Sequence, residues 1–285
     1  ESELEREKSA ALRSMKQAYQ ERDKTESGRF AGEYVRNFLE DEPAPGVSLE
    51  YELFQKFIPG ISLEEVNHLA DSWIMEENRV VLASYPEKEE IQEVSEDDLA
   101  MAMNNAKSVT IKPYVDDALK QPLLDKVPPA GEIVSENVLQ DLGVTEFRLQ
   151  NGIRVIAKPT DFQNDEILVS ATSPGGVSLI PDTSLIPAKT AVSVVRESGL
   201  GDFSSEQLNK ALSGQVVRLS PYIGELSEGF SGSSSIEDLE TLFQLIYLYF
   251  TETRGDTSAF KSLKSRFQAF YENRGVSPEA AFQDT

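Results

Sequence analysis

The sequence predicts an α+β fold, a mostly antiparallel sheet with helices packed on one face, in two units joined by a long linker. Three observations lead there. From Leu142 onward, strand-like and helix-like patterns follow one another in blocks, three strands, two helices, two strands and two helices, the order of an α+β layer. Asn151-Gly152 stands between the apolar runs Phe147/Leu149 and Ile153/Val155/Ala157, a hairpin signal in which both turn residues tolerate positive φ. Between Pro86 and Asp141 the periodicity lapses into acidic and Pro-punctuated sequence longer than an ordinary loop, which reads as a connector lying along the surface.

Residues 1 to about 40 read as helix. Leu4, Ala11/Leu12, Met15 and Ala18/Tyr19 recur near the helical period, and Phe30, Tyr34/Val35 and Phe38/Leu39 continue it after Gly28. Asp41 to Val47 breaks the pattern, and Ser48 reads as the cap of a helix carrying Leu49, Leu53 and Phe57 that ends at Pro59-Gly60. Ser62 and Glu65 form a capping box, with Ile61 and Val66 as its staple, for a helix burying Val66, Leu69 and Trp73. Asn78 to Ala83 then reads as a strand. Within the connector a short helix is expected near Asp97 to Asn105.

The second unit opens with the hairpin and a third run, Ile167 to Ala171, ending at Pro174-Gly175-Gly176; together these read as one three-strand sheet. A helical segment follows from Leu185 to Arg196, stopped by Ser198-Gly199. Ser204 caps a short helix with Phe203 and Leu208 as its staple, and Gly214 closes it. Val216–Tyr222 and Glu228–Gly232 read as strands. Ser235 starts a long apolar helix, Ile236 to Thr251, and Asp256/Thr257 starts another that buries Phe260, Leu263, Phe267 and Tyr271.

Composition narrows the function. Lys and Arg total 27 against 49 Asp and Glu, a net charge of −22 that argues against a nucleic-acid backbone as partner. The chain has no cysteine, which excludes disulfides, thiolate metal ligands and thiol nucleophiles, and its longest apolar stretch, Leu242 to Phe250, is too short to span a membrane. His68 is the one histidine and reads as a surface or structural residue, without His or Cys partners for a metal and far in sequence from the serines of Ser231–Ser235. Asp182-Thr183-Ser184 and Asp256-Thr257-Ser258 stand where helix caps belong rather than as a catalytic aspartate pair. Gly175-Gly176 and the Gly224 to Gly232 segment lack the strand-to-helix setting of a phosphate loop. The first residue enters a charged helical pattern and a helix starting at Ser277-Pro278-Glu279 stops at Thr285, which reads as a piece of a longer protein.

The hairpin sequence around Asn151-Gly152, Arg154 and Val155 resembles the start of the homologous units of pitrilysin/insulinase-type zinc metalloendopeptidases, the H-x-x-E-H inverzincins. The segments ESGLGDFS, LSGQVV, EGFSGSSS and DLETLFQLIYLYFT follow that family's order, and residues 38–67 with ENRVVLASYPEK resemble the close of a preceding unit. The resemblance implies duplicated metalloendopeptidase-like units: residues 1–86 as the C-terminal part of one, 87–141 as linker, and 142–285 as the first part of a second. It also implies a zinc motif on the helix after the first sheet, and places Lys189, Val192 and Ser193 at the positions of the first His, the Glu and the second His. The second unit contains no histidine, so neither a metal site nor catalytic residues are expected in this chain.

What the resemblance implies is therefore a non-catalytic repeat that helps to enclose and position peptide for an active, zinc-holding unit upstream in the same polypeptide, in an exported, periplasmic bacterial protein. The alternatives are an assembly scaffold with no role in proteolysis, and an independent enzyme of another class. A peptide would enter as an added strand at a sheet edge, with Val216–Tyr222 and the first hairpin as the candidate edges.

Overall fold

The computed structural model describes residues 1–75, 77–85, 94–106, 108–112, 115–116, 121–275 and 278–283. The front helices are α1 (Ser2–Gln20), α2 (Ser27–Glu40), α3 (Val47–Phe57) and α4 (Leu63–Trp73). One helix, α5 (Glu96–Ala106), lies in the connector, as the sequence predicts. The remainder runs β1 (Ile133–Leu139), β2 (Val144–Leu149), β3 (Arg154–Ala157), β4 (Ile167–Pro174), α6 (Leu185–Ser198), α7 (Ser205–Ala211), β5 (Val217–Ile223), β6 (Ser227–Ser234), α8 (Leu239–Thr251), α9 (Thr257–Arg274) and α10 (Pro278–Gln283).

The α+β class holds, with antiparallel pairing throughout, but the strands form two sheets, β1-β2-β3 and β4-β6-β5. The opening three-strand sheet is completed by β1, from the stretch read as linker, while the third predicted run became β4 and pairs with β6, Ala171 opposite Phe230. Local pattern identifies strands but not their partners, which lie as far apart as Ile167 and Ser234.

The hairpin turn is also built differently. Gly152 N–H donates to the Leu149 carbonyl at 2.9 Å and Gly152 alone takes positive φ, 90°, while Leu149 N–H reaches the Ile153 carbonyl at 2.9 Å. This is the three-residue hairpin loop, with glycine at its left-handed position, not the two-residue loop.

The core lies on one face of β4-β6-β5. Along β5, Val217 and Leu219 turn toward α8, while Arg218 and Ser220 point to solvent. On β6, Phe230 is buried and its ring meets Tyr249 and Phe250 of α8 at 5.6 and 5.2 Å. Leu200, Leu245 and Leu248 form the buried centre, reached from α6 by Val195, from α7 by Leu208 and Leu212, and from the connector by Leu123 and Leu124. The period-two and 3.6-residue patterns thus meet on a single apolar layer.

Several local readings are sustained. Ser62 and Glu65 exchange both capping-box hydrogen bonds, as do Ser204 and Gln207 at 3.2 and 3.0 Å. Replacing Ser204 by alanine leaves the Gln207 N–H without its acceptor and is expected to cost about 1 kcal/mol, read as a lower urea midpoint with an unchanged slope.

Others are corrected. Gly46, not Ser48, occupies the cap of α3; α8 begins at Leu239, after a turn in which Ser235 and Asp238 bond each other; and Leu212, not Gly214, is the C-cap of α7. Asn78 to Ala83 is irregular rather than strand, with Val80 91% exposed, because an extended segment becomes a strand only when a neighbour completes its ladder. Val66, Leu69 and Trp73 of α4 are exposed; α9 packs against α6, but Phe260, Phe267 and Tyr271 stay exposed along an open groove between the two helices, so of the four residues expected to be buried on α9 only Leu263 is. The PEK exit at 86–88 and the start of the acidic run, residues 87–93, lie outside the described residues.

Candidate functional site

Helix α6 carries the positions where the resemblance places a zinc motif. A 3₁₀ turn at Asp182–Ser184 leads into it, and Pro187 sits in its first turn, where a missing N–H costs no intrahelical bond. Thr190 Oγ1 donates back to the Ile186 carbonyl at 2.9 Å. Lys189 is exposed and Val192 and Ser193 are half-buried. Lys189 and Ser193 share a face four residues apart, the geometry two imidazoles would use to grip one ion. The chemistry does not fit zinc: a protonated lysine offers no lone pair, valine has no donor atom, and a serine hydroxyl is a weak ligand beside imidazole or carboxylate. Among the described residues there is no group of three or more His, Cys, Asp or Glu arranged to hold a metal ion.

Beside α6, Thr190 and Val194 face Phe260, Leu263, Phe267 and Tyr271 of α9 across an open groove of about 340 Å³. Its exposed lining is almost wholly apolar, with Lys264, Gln268 and Glu272 of α9 also bordering it.

The other sequence candidates do not converge. His68 lies on the surface of α4, with Asp71 at 3.4 Å and Glu64 at 4.0 Å. Ser231 to Ser234 belong to β6, and Ser235 is fully buried and bonded to Asp238. Asp256 is a helix cap: its Oδ1 accepts the Ala259 and Ser258 N–H groups, which together hold its carboxyl below the ordinary value. Asp182 opens the 3₁₀ turn before α6. Gly175-Gly176 form a tight turn locked by Glu228, whose Oε2 accepts the Gly176 N–H at 2.6 Å. Both candidate peptide edges are terminal in their sheets, β5 in one and β3 of the hairpin in the other. Pro221 within β5 has no N–H to lend to an added strand.

One constellation was missed by sequence reasoning. Arg13 of α1, its side chain only 10% exposed, points its Nη2 at Asp238 Oδ2 (3.2 Å), Asp165 Oδ2 (3.6 Å) and Glu237 Oε2 (3.9 Å). Asp238 Oδ2 also accepts Ser235 Oγ at 2.6 Å and Val216 N–H at 2.8 Å, while Asp165 Oδ1 accepts Ile236 N–H at 3.0 Å. The S-x-x-D spacing of Ser235 and Asp238 was a legible signal; the burial of Arg13, in a helix full of charges, was not.

Burial works against ionised Asp238, but the bonds from Ser235, Val216 and Arg13 outweigh it and hold its carboxyl below the ordinary 3.8. A lowered folded pKa gives stability that is complete above the ordinary value and is lost as pH falls through the folded one. The stability gap between the chain and its Asp238→Asn variant is therefore expected to be constant near neutrality and to close below about pH 4, read from urea unfolding across pH.

No family model matches the chain. A protein of Arabidopsis thaliana named "Zinc protease PQQL-like" is 25% identical over 234 residues, 82% of this chain and 22% of that protein. A Haemophilus influenzae protein named "Probable zinc protease PqqL" is 24% identical over 224 residues, 77% of this chain and 24% of that protein. The chain thus spans about a quarter of the length of these curated relatives. Among solved structures, the periplasmic protease PqqL from Escherichia coli matches with a TM-score of 0.52 at 18% identity, over 97% of this chain and 30% of its own. The ferredoxin protease FusC, solved as a mutant in complex with Arabidopsis ferredoxin, matches with a TM-score of 0.52 at 18% identity, over 99% of this chain and 33% of its own. The inverzincin resemblance read from the hairpin agrees with these relatives, and the chain is related to PqqL-like zinc proteases.

Proposed function

We propose that this chain, a relative of PqqL-like zinc proteases, is a non-catalytic portion of a zinc-dependent metalloendopeptidase that helps to enclose and position peptide for an active unit of the same polypeptide. The observation that supports the reading is α6, the helix after the hairpin, where the family resemblance would put the zinc motif at Lys189, Val192 and Ser193 and no ligand set stands. In this reading the metal belongs to the active unit, whose two His would bind it and whose Glu would activate water. This chain supplies walls and strand edges. The free edges of β5 and β3 offer an extended peptide backbone groups to pair with, and Pro221 leaves the rest of β5 as the usable part of that edge. The duplicated organisation and an exported, periplasmic setting belong to the same proposal, the latter by analogy with the periplasmic relative from Escherichia coli.

The test is turnover of a mixed peptide library, with zinc supplied, by the zinc-bearing unit alone, by that unit joined to this chain, and by this chain alone. Joining is expected to raise turnover at least about tenfold, the scale of rate gain that holding a substrate in place provides with ease. This chain alone is expected to show none. Equal turnover with and without this chain would make it an assembly scaffold, and turnover by this chain alone would make it an enzyme in its own right; either result removes the proposal.

A further inference from the structure

Charge is not spread evenly over this chain. Against an overall charge of −22, α9 carries Lys261, Lys264, Arg266 and Arg274 with Glu272 as its one acidic residue, and α6 carries Lys189 and Arg196 against Glu197. These two basic helices pack side by side and leave between them the open groove of about 340 Å³. Its floor is hydrocarbon, from Val194 of α6 and from Phe260, Leu263, Phe267 and Tyr271 of α9. Leu263 is buried, but Phe260 and Tyr271 are 50% and 67% exposed, so much of that hydrocarbon is still in contact with water.

Cations border the lining. Lys264 lies on the groove, and Lys261, one turn earlier on the same side of α9, continues a row that runs through Gln268 to Glu272. Lys189 immediately precedes Thr190 of the facing helix. All three lysines are exposed and none has a hydrogen bond or ion pair among the described residues, whereas Arg266 is engaged with Glu197 at 2.7 Å. With 49 Asp and Glu in the chain against 27 Lys and Arg, unpaired lysines beside one apolar groove are a local reversal of sign.

The two features select different properties of a ligand. The lining draws apolar side chains out of water whatever charge accompanies them; the lysines favour a ligand that brings carboxylates and reject one that brings cations. The volume is at the lower end of what ligand pockets enclose, about 300–1,000 Å³, which suits a few side chains of a short segment rather than a folded domain. A second copy of the chain is a poor occupant, because two bodies of charge −22 repel each other.

We propose that the α6–α9 groove is a docking site for a short acidic segment of a partner protein, whose apolar side chains enter between Val194, Phe260 and Phe267 and whose carboxylates meet Lys261 and Lys264, with Lys189 adding attraction from the facing helix. None of the groove's lining residues belongs to β3 or β5, so this site is distinct from the strand edges invoked for positioning peptide.

The test is fluorescence anisotropy on the full chain with three short labelled peptides that share Leu and Phe anchors and carry Glu, Gln or Lys at every other position. The Glu peptide is expected to bind at least about tenfold more tightly than the Gln peptide, a difference within reach of two close charge pairs, and the Lys peptide most weakly. Near 1 M salt, where screening acts over about 3 Å, the advantage of Glu over Gln should vanish. Lys261→Glu combined with Lys264→Glu, both on exposed positions, should abolish the same advantage while leaving the Gln peptide's affinity unchanged, and Thr190→Trp, which fills the groove, should weaken all three. Equal affinity for the Glu and Gln peptides, an undiminished preference in the double variant, or no binding of any peptide overturns the proposal. So does a dimer in sedimentation velocity that the double variant dissolves, because the occupant would then be a second copy. The readout is binding and not turnover, so a failure here leaves the peptide-positioning reading standing, and the reverse also holds.

Discussion

Replacing Phe203 by alanine is expected to destabilise the chain by about 3–5 kcal/mol, the range for removing a buried aromatic ring. Phe203 is 1% exposed and lies in the turn between α6 and α7, where its backbone exchanges hydrogen bonds with Leu200 at 2.9 and 3.0 Å. On one side stands the core of Leu200, Leu245 and Leu248; on the other, Phe203 helps to line a cleft beneath the connector with Leu123, Leu124 and Tyr247. Loss of the ring merges new space with that cleft, and the core cannot collapse into it without moving the connector. Urea unfolding followed by circular dichroism measures the loss, and Phe203→Leu should lose distinctly less. A cost under about 1 kcal/mol, the ordinary size for a substitution of no special mechanism, would show that the ring does not anchor this turn.

The second large effect is expected four residues earlier. Gly199 ends α6 with φ 90° and ψ −166°, a backbone conformation essentially reserved for glycine. A Cβ there would lie 2.1 Å from the Phe203 carbonyl oxygen and 2.6 Å from the Ser204 carbonyl carbon, both backbone atoms that cannot rotate aside. Strain of about 1–3 kcal/mol adds to overpacking of about 1–3 kcal/mol, so Gly199→Ala is expected to cost about 2–6 kcal/mol. The same unfolding measurement checks it. Because Gly199 and Phe203 touch, the two losses should not add in the double variant, whereas Gly199→Ala and Ser62→Ala, with no shared contacts, should add within about 0.5 kcal/mol.

The sequence was most informative where a signal is local. Ser62/Glu65 and Ser204/Gln207 announce their helices through groups within four residues of each other, and Asn151-Gly152 places the hairpin, because turn chemistry is settled by a few dihedral angles. It was least informative where partners are distant. Nothing near Ile167 indicates that β4 pairs with β6 some sixty residues later, or that Ile133–Leu139 supplies the third strand of the hairpin sheet. The periodicity of Val66, Leu69 and Trp73, and of Phe260, Phe267 and Tyr271, marks one face of each helix; how fully a face is covered depends on what lies opposite, and on α9 the facing helix α6 leaves an open groove. Of the functional reading, that Lys189, Val192 and Ser193 are not a zinc-ligand set could be read from residue types alone, since ligand chemistry needs no fold to be excluded. The Arg13 cluster was invisible, because its members come from α1, the start of β4 and the start of α8.

The unladdered stretch from Asn78 to Tyr85 bears on how the protein behaves in a tube. Val80, Val81 and Leu82 are three consecutive exposed apolar residues outside both sheets, the kind of segment through which identical chains can stack edge to edge. Mutual repulsion between molecules of charge −22 opposes that stacking near neutrality and fades toward the isoelectric point of about 4.5. The acidic surface therefore acts as a colloidal stabiliser for an exposed apolar segment, and mild acidification is the condition under which self-association through it is expected to grow.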